Sequence, residues 1–172
     1  MKILFFPFLV FFFIFSSCKE SKPDLLKEEM EINQLLDQWH EDAAKARFEP
    51  YFQKMSETSV FIGTDAKENW SKSEFIDYAE PFFNLGKAWT FSSMERNVFV
   101  DSSGKMAWFD ELLKTRMKIC RGSGVLLKKK GQWKIEQYVL SLTVPNELVD
   151  SVVGLKALAE DSLIFQLENK AQ

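Results

Sequence analysis

From Trp89 onward the chain alternates between long strand-like segments and tight turns, and this restricts its fold more than any other feature. The segment "AWTFSSMERNVFVD" is followed by the Gly-containing turn "SSGK". Then come "MAWFDELLKTRMKICR", "GSG", "VLLKKK", a Lys-Gly turn and "QWKIEQYVLSLTV", closed by Pro145 and Asn146. Long strands joined by tight turns make an antiparallel meander. Residues 106–121 read as one long strand, and Gly122 and Gly124 stand where a bulge or tight turn would let the sheet curl.

The residues before this run are mostly helical. Asp24 can cap a helix reaching about Ala46, because Leu25, Leu35, Leu36, Trp39, Ala43 and Ala46 recur at three- and four-residue spacing. Phe48, Tyr51 and Phe52, with Pro50 among them, suggest a second short helical turn. "SVFIG" at 59–63 is a short strand ended by Gly. Ser71 followed by Glu74 is a capping box; it opens a helix carrying Phe75, Ile76, Ala79, Phe82 and Phe83 on its buried side, which Pro81 can kink or split. After Pro145, helical spacing returns through Leu148, Val152, Leu155, Leu163 and Leu167, a C-terminal helical tail over 147–172. The order predicts an α+β fold, a curved antiparallel sheet wrapped on N-terminal helices, with a C-terminal helix added.

The first 17 residues stand apart from that fold. Lys2, an almost unbroken apolar run from Ile3 to Phe15, and Ser16-Ser17 before Cys18 have the order of a secretory signal peptide. The run is short for a transmembrane helix, which needs about 20 apolar residues. Ser16-Ser17-Cys18 resembles a bacterial lipobox, although Phe15 replaces the more usual Leu. The expectation is a lipid on Cys18, a polar tether to residue 24, and a chain held at the bacterial cell envelope. Residues 25–146 then form one domain large enough for a real core. Cys120 is left as a small buried hydrophobe. A net charge of −3 lacks the basic footprint of a nucleic-acid binder, and Lys128-Lys129-Lys130 before Gly131 reads as a solvated hairpin turn.

"DQWHEDAAKARFEPYF", "FIGTDAKENW", "GKAWTFSSMERNVFV", "AWFDELL", "CRGSGVL" and "WKIEQYVLSLTVPN" occur in this order between about Leu35 and Asn146. Together they resemble the SnoaL-like branch of the nuclear transport factor two-like superfamily. The resemblance implies a cone of curved sheet packed on three helices, with an internal pocket at its open end. Superfamily members include ketosteroid isomerase, polyketide cyclases and many non-enzymatic binding or association domains. Such folds host unrelated functions, so the resemblance speaks to fold more than to activity.

On the strand containing "AWFDE", alternation puts Trp108, Asp110 and Leu112 on one face and Phe109, Glu111 and Leu113 on the other. Only one of the adjacent acids enters a cone, so they do not form a paired-carboxylate dyad. On the last strand, alternation groups Trp133, Ile135, Gln137, Val139 and Ser141 against Lys134, Glu136, Tyr138, Leu140 and Leu142. An inward acid among aromatics has a raised pKa unless it is paired. Unpaired, Asp110 or Glu111 is a candidate general base, with Tyr138 as oxyanion donor. Paired with an arginine from among Arg96, Arg116 and Arg121, the same acid is structural or orients a ligand; Arg121 is the partner adopted.

His40, the sole histidine, is a candidate for lining the pocket or for catalysis, and alone does not make a zinc site. Asp65 and Glu68 in "GTDAKENW" suit turn and cap chemistry better than calcium binding. "RGSG" lies between strands and is no phosphate loop. Neither a metal nor a cofactor is implied. The candidate ligand-binding residues are therefore His40, Trp70, Trp108, Asp110, Glu111, Arg121 and Tyr138. The expected function is an envelope-anchored pocket that binds a small, partly apolar molecule or mediates association. The alternative is an isomerase- or cyclase-like enzyme with the inward acid as base. A homodimer formed through the outer sheet face or the C-terminal helix is compatible with either.

Overall fold

The computed structural model describes residues 22–170; the signal segment and Cys18 lie outside them. The chain runs α1 (Leu25–Ala44), α2 (Phe48–Gln53), β1 (Met55–Ile62), β2 (Asn69–Ser71), α3 (Lys72–Asn84), β3 (Ser92–Val100), β4 (Met106–Thr115), β5 (Lys118–Lys129) and β6 (Gln132–Leu142). A 3-10 turn (Asn146–Leu148) then leads into α4 (Val149–Lys170). The six strands form one sheet in the order β2-β1-β6-β5-β4-β3. The meander β3 to β6 is antiparallel as expected. The sheet as a whole is mixed, because β1 lies parallel to β6: β1 enters from the helices, not through a hairpin, and only a hairpin would force it antiparallel.

Local chemistry sets the helix starts. Asp24 accepts a hydrogen bond from the Lys27 backbone N–H at 3.2 Å, a cap contributing about 1 kcal/mol. Ser71 and Glu74 form the capping box reciprocally. Pro81 leaves α3 in one piece, three residues before its end, and Phe82, expected on the buried side, is exposed. The buried side of α1 is Ile32, Leu36, Trp39, His40 and Ala43, whereas Leu25 is exposed. This side packs against β3 and β6. The core continues through Tyr51, Phe52, Phe75, Phe109, Leu113, Leu126, Ile135 and Tyr138, where each fully buried large apolar side chain contributes roughly 1.5–3 kcal/mol.

Two strand boundaries differ from the sequence expectation. Residues 106–121 are not one strand: the chain turns at Arg116-Met117 between β4 and β5. Thr115 Oγ1 accepts from the Met117 N–H at 2.9 Å and donates to the Lys118 carbonyl at 3.1 Å. Lys118 takes φ 71°. A threonine side chain thus organises a turn without glycine. Conversely, "GSG" is not a turn, and β5 runs straight through it.

β6 also departs from strict alternation. Val125 pairs with Gln137 and Leu126 with Ile135, so Glu136 is an extra residue in the ladder. That bulge places Ile135 and Tyr138 on the same, buried face. Lys129 and Lys130 are exposed as expected of the turn, whereas Lys128 is half-buried and pairs with Glu28. Glu28 also accepts from the Trp133 indole N–H at 2.7 Å. This ties α1 to the β5–β6 hairpin. No residue of α4 is buried. Among the described residues, no helix is long and apolar enough to cross a membrane.

Candidate functional site

Parity decides between the two acids of "AWFDE". Along β4 the burial alternates, with Ala107, Phe109, Glu111 and Leu113 inside. Glu111 is the inward acid, with no solvent exposure. Asp110 faces outward and accepts from the Asn97 amide at 3.3 Å. Trp108 is 46% exposed on the outer face, stacked on Phe99 at 5.8 Å. Arg121 is also outward, registered opposite Leu112 and not Glu111. Trp108, Asp110 and Arg121 therefore do not join the interior site; the two-residue period that puts Glu111 inside puts all three outside.

Glu111 sits between Arg96 on β3 and Gly122 on β5 in the sheet register. Its Oε2 accepts from Arg96 Nε at 2.9 Å. Arg96 Nη2 lies 2.9 Å from the same oxygen, but without the alignment of a hydrogen bond. Arg96 Nη1 reaches Asp37 at 2.8 Å and the Asn33 carbonyl at 3.2 Å. Glu111 Oε1 accepts from His40 Nε2 at 2.8 Å and from the Tyr138 hydroxyl at 3.1 Å. With both carboxylate oxygens accepting, Nε2 is the protonated nitrogen of His40 on this side.

Gly122 makes this approach possible. A Cβ there would stand 2.4 Å from the Tyr138 hydroxyl and 2.9 Å from Glu111 Oε1. Gly124 likewise leaves room for the Phe109 ring. The glycines serve close packing in a flat strand, not a turn.

The electrostatics follow from this geometry. Burial acts to raise the Glu111 pKa, but the His40 hydrogen bond and charge, followed by Arg96, outweigh it and hold the carboxyl below its ordinary value. Burial, and then the Glu111 charge, push the Tyr138 phenol well above its ordinary value. Glu111 is thus an ionised acceptor and Tyr138 a neutral donor committed to it. In this arrangement both Glu111 oxygens and the Tyr138 hydroxyl are engaged within the cluster.

The cavity lies beside this cluster, at the end of the sheet where β4 turns into β5. It measures about 460 Å³ and is lined by Phe61, Trp70, Phe75, Tyr78, Trp89 and Phe91, with Leu140 and Met117. That volume falls within the range of small-molecule sites. Of the sequence candidates, Trp70 lines it, while His40, Glu111 and Tyr138 do not. They lie one layer behind: His40 meets Phe91 at 5.9 Å and Tyr138 stacks on Phe61 at 5.5 Å.

Sequence reasoning named Arg96 as an available partner but preferred Arg121. The β3–β4 pairing would have separated them. Phe61, Phe75 and Tyr78 carried no mark distinguishing wall from core, and Arg116 was hidden inside an assumed strand. The 63–68 loop uses its acids for turn chemistry: Asp65 accepts from the Lys67 N–H and Glu68 from the Asp65 N–H. Among the described residues no group of three or more His, Cys, Asp or Glu is placed to hold a metal ion.

A mixed curved sheet with helices on its inner face and an aromatic cavity at one end defines a class, and the comparisons agree with it. The SnoaL-like domain family model matches residues 32–145, and the chain belongs to that family. Its fold is similar to that of an NTF2-like protein of unknown function from Pseudomonas putida, at 15% identity and TM-score 0.60, covering 74% of this chain and 93% of that one. It is similar to a proposed scytalone dehydratase from Novosphingobium aromaticivorans at 11% identity and TM-score 0.60, covering 70% and 87%. It is also similar to the association domain of C. elegans CaMKII at 16% identity and TM-score 0.55, covering 68% and 97%. The comparison with curated proteins finds no match.

Proposed function

We propose that this protein is a lipid-anchored envelope protein whose SnoaL-like domain holds a small, partly apolar molecule in the aromatic cavity without converting it. One observation carries the reading. The only inward acid of β4 is paired with Arg96, His40 and Tyr138 and does not line the cavity. An acid with a lowered pKa behind an aromatic wall suits structural polarity, whereas a general base must reach the proton it removes. Native mass spectrometry of the purified protein tests this. A bound mass that is lost on denaturation and matches an unmodified small molecule supports binding. Time-dependent conversion of that molecule, abolished in Glu111→Gln, would instead support the isomerase- or cyclase-like alternative. The anchor is tested separately: labelled fatty acid should enter the wild-type chain in cells and fail to enter Cys18→Ser.

Self-association as a homodimer is a second reading, favoured by α4. Leu155, Leu158 and Phe165 are 87%, 89% and 69% exposed on a helix with no buried residue, and helices apolar on several sides are normally covered. The CaMKII neighbour is itself an association domain. Sedimentation velocity should show a dimer for the full chain and a monomer for a chain ending at Pro145. A monomer in both cases removes this reading.

A further inference from the structure

Resting on the reading of the cavity as a ligand site, we propose that its ligand is a small planar aromatic or conjugated acid. Its ring would lie among the cavity's ring faces and its carboxylate would be held at the rim by Arg116 and Lys87.

The ring orientation comes first. Phe61 and Phe75 stack at 3.9 Å and 13°. Trp70 lies 5.9 Å from Phe75 at 14° and 4.5 Å from Tyr78 at 23°. Trp89 lies 5.7 Å from Phe75 at 30°. Five rings from β1, β2, α3 and the segment before β3 therefore share nearly one orientation. A flat ring can extend such an array by offset stacking, which a bulky aliphatic molecule cannot do.

The rim supplies the charge. Arg116 comes from the β4–β5 turn and Lys87 from the segment between α3 and β3, and both line the cavity while remaining exposed. Elsewhere Arg47, Lys54, Lys72, Arg96 and Lys128 are each paired with a carboxylate. Among the described residues neither Arg116 nor Lys87 has such a partner. The one acid of the lining, Glu68, turns back on its own loop, with Oε2 accepting from the Asp65 N–H at 3.1 Å. Two uncommitted cations against one engaged carboxylate make the mouth positive on a chain that is net −3. A guanidinium fork matches a carboxylate in a way that a lone ammonium does not. Aromatic faces also attract organic cations, but the rim charge opposes them, which makes a cation the informative competitor.

Calorimetric titration of the purified protein tests the proposal with three probes of one shape: 2-naphthoate, neutral 2-naphthamide and cationic 2-naphthylmethylamine. The naphthoate should bind about tenfold tighter than the amide, or more, as expected for a charge-assisted hydrogen bond. Arg116→Gln should remove that preference by weakening the naphthoate far more than the amide; Lys87→Gln should reduce it. Both positions are exposed, and unchanged thermal midpoints will show that both variants fold. Equal affinities for acid and amide, or tighter binding of the amine, overturn the anionic ligand but leave the cavity a binding site. If none of the three probes binds, the ligand-site reading falls along with this one.

Discussion

Glu111 is out of contact with bulk solvent, so its neighbours stabilise its charge. Removing that charge leaves Arg96 with the exposed Asp37 as its remaining carboxylate. Glu111→Gln should therefore lower stability by about 1–3 kcal/mol, the usual result of losing charge-assisted hydrogen bonds in a buried site, as read from urea unfolding. The pH dependence has a defined sign. The folded-state pKa lies below the unfolded value, so the unfolded chain takes up the proton first as pH falls. The contribution is complete above the ordinary carboxylate range, about 4.3, and is lost as pH falls through the lower folded value. Urea midpoints of Glu111→Gln should accordingly fall less steeply than wild type on the acid side. Gly122→Ala should cost about 1–3 kcal/mol by overpacking, because its Cβ would press on the Tyr138 hydroxyl. In a double-mutant cycle, Tyr138→Phe should recover part of that cost. Strict additivity would refute the contact. At this scale the sequence was half legible. Alternation split Asp110 from Glu111 correctly, but choosing the arginine needed the β3–β4 register, which places Arg96 and not Arg121 beside Glu111.

The strands and helices were readable wherever chemistry is local. The Asp24 cap, the Ser71–Glu74 box and the Gly131 hairpin all carry side-chain signals that act within a few residues. Two features were not readable, the first because it depends on a distant strand and the second because its residue types break the usual turn pattern. The Glu136 bulge exists only relative to β5, and it reverses the alternation that would have put Tyr138 on the opposite face from Ile135. The Thr115 turn uses Lys118 at positive φ, a position where sequence reasoning expects Gly or Asn. α4 was legible as a helix, yet its spacing did not reveal that it leaves the domain uncovered. Because none of its residues is buried, a chain ending at Pro145 should keep its unfolding free energy within about 0.5 kcal/mol of the full chain, the range of surface changes. A larger loss would mean that α4 packs on the domain or on a second copy in solution.

For the molecule as a whole, occupancy of the cavity should register as stability. A ligand present at about 100 times its Kd contributes about 2.7 kcal/mol, which raises the melting temperature of a domain this size by roughly 5–10 °C. Tryptophan emission should shift in parallel, since Trp70 and Trp89 line the cavity. The fold also gives the domain two opposite ends. Pro23, where α1 begins, packs on Gly104 in the β3–β4 turn, while the cavity rim includes the turn at the other end of β4. β4 spans Met106–Thr115, which at about 3.3 Å per residue separates those ends by roughly 30 Å. If the chain is fastened through Cys18 as proposed, its opening lies at the end of β4 away from the N-terminus of the described domain. Cargo would then come from solution, and loading should proceed at the same rate whether the protein is tethered to a vesicle or free.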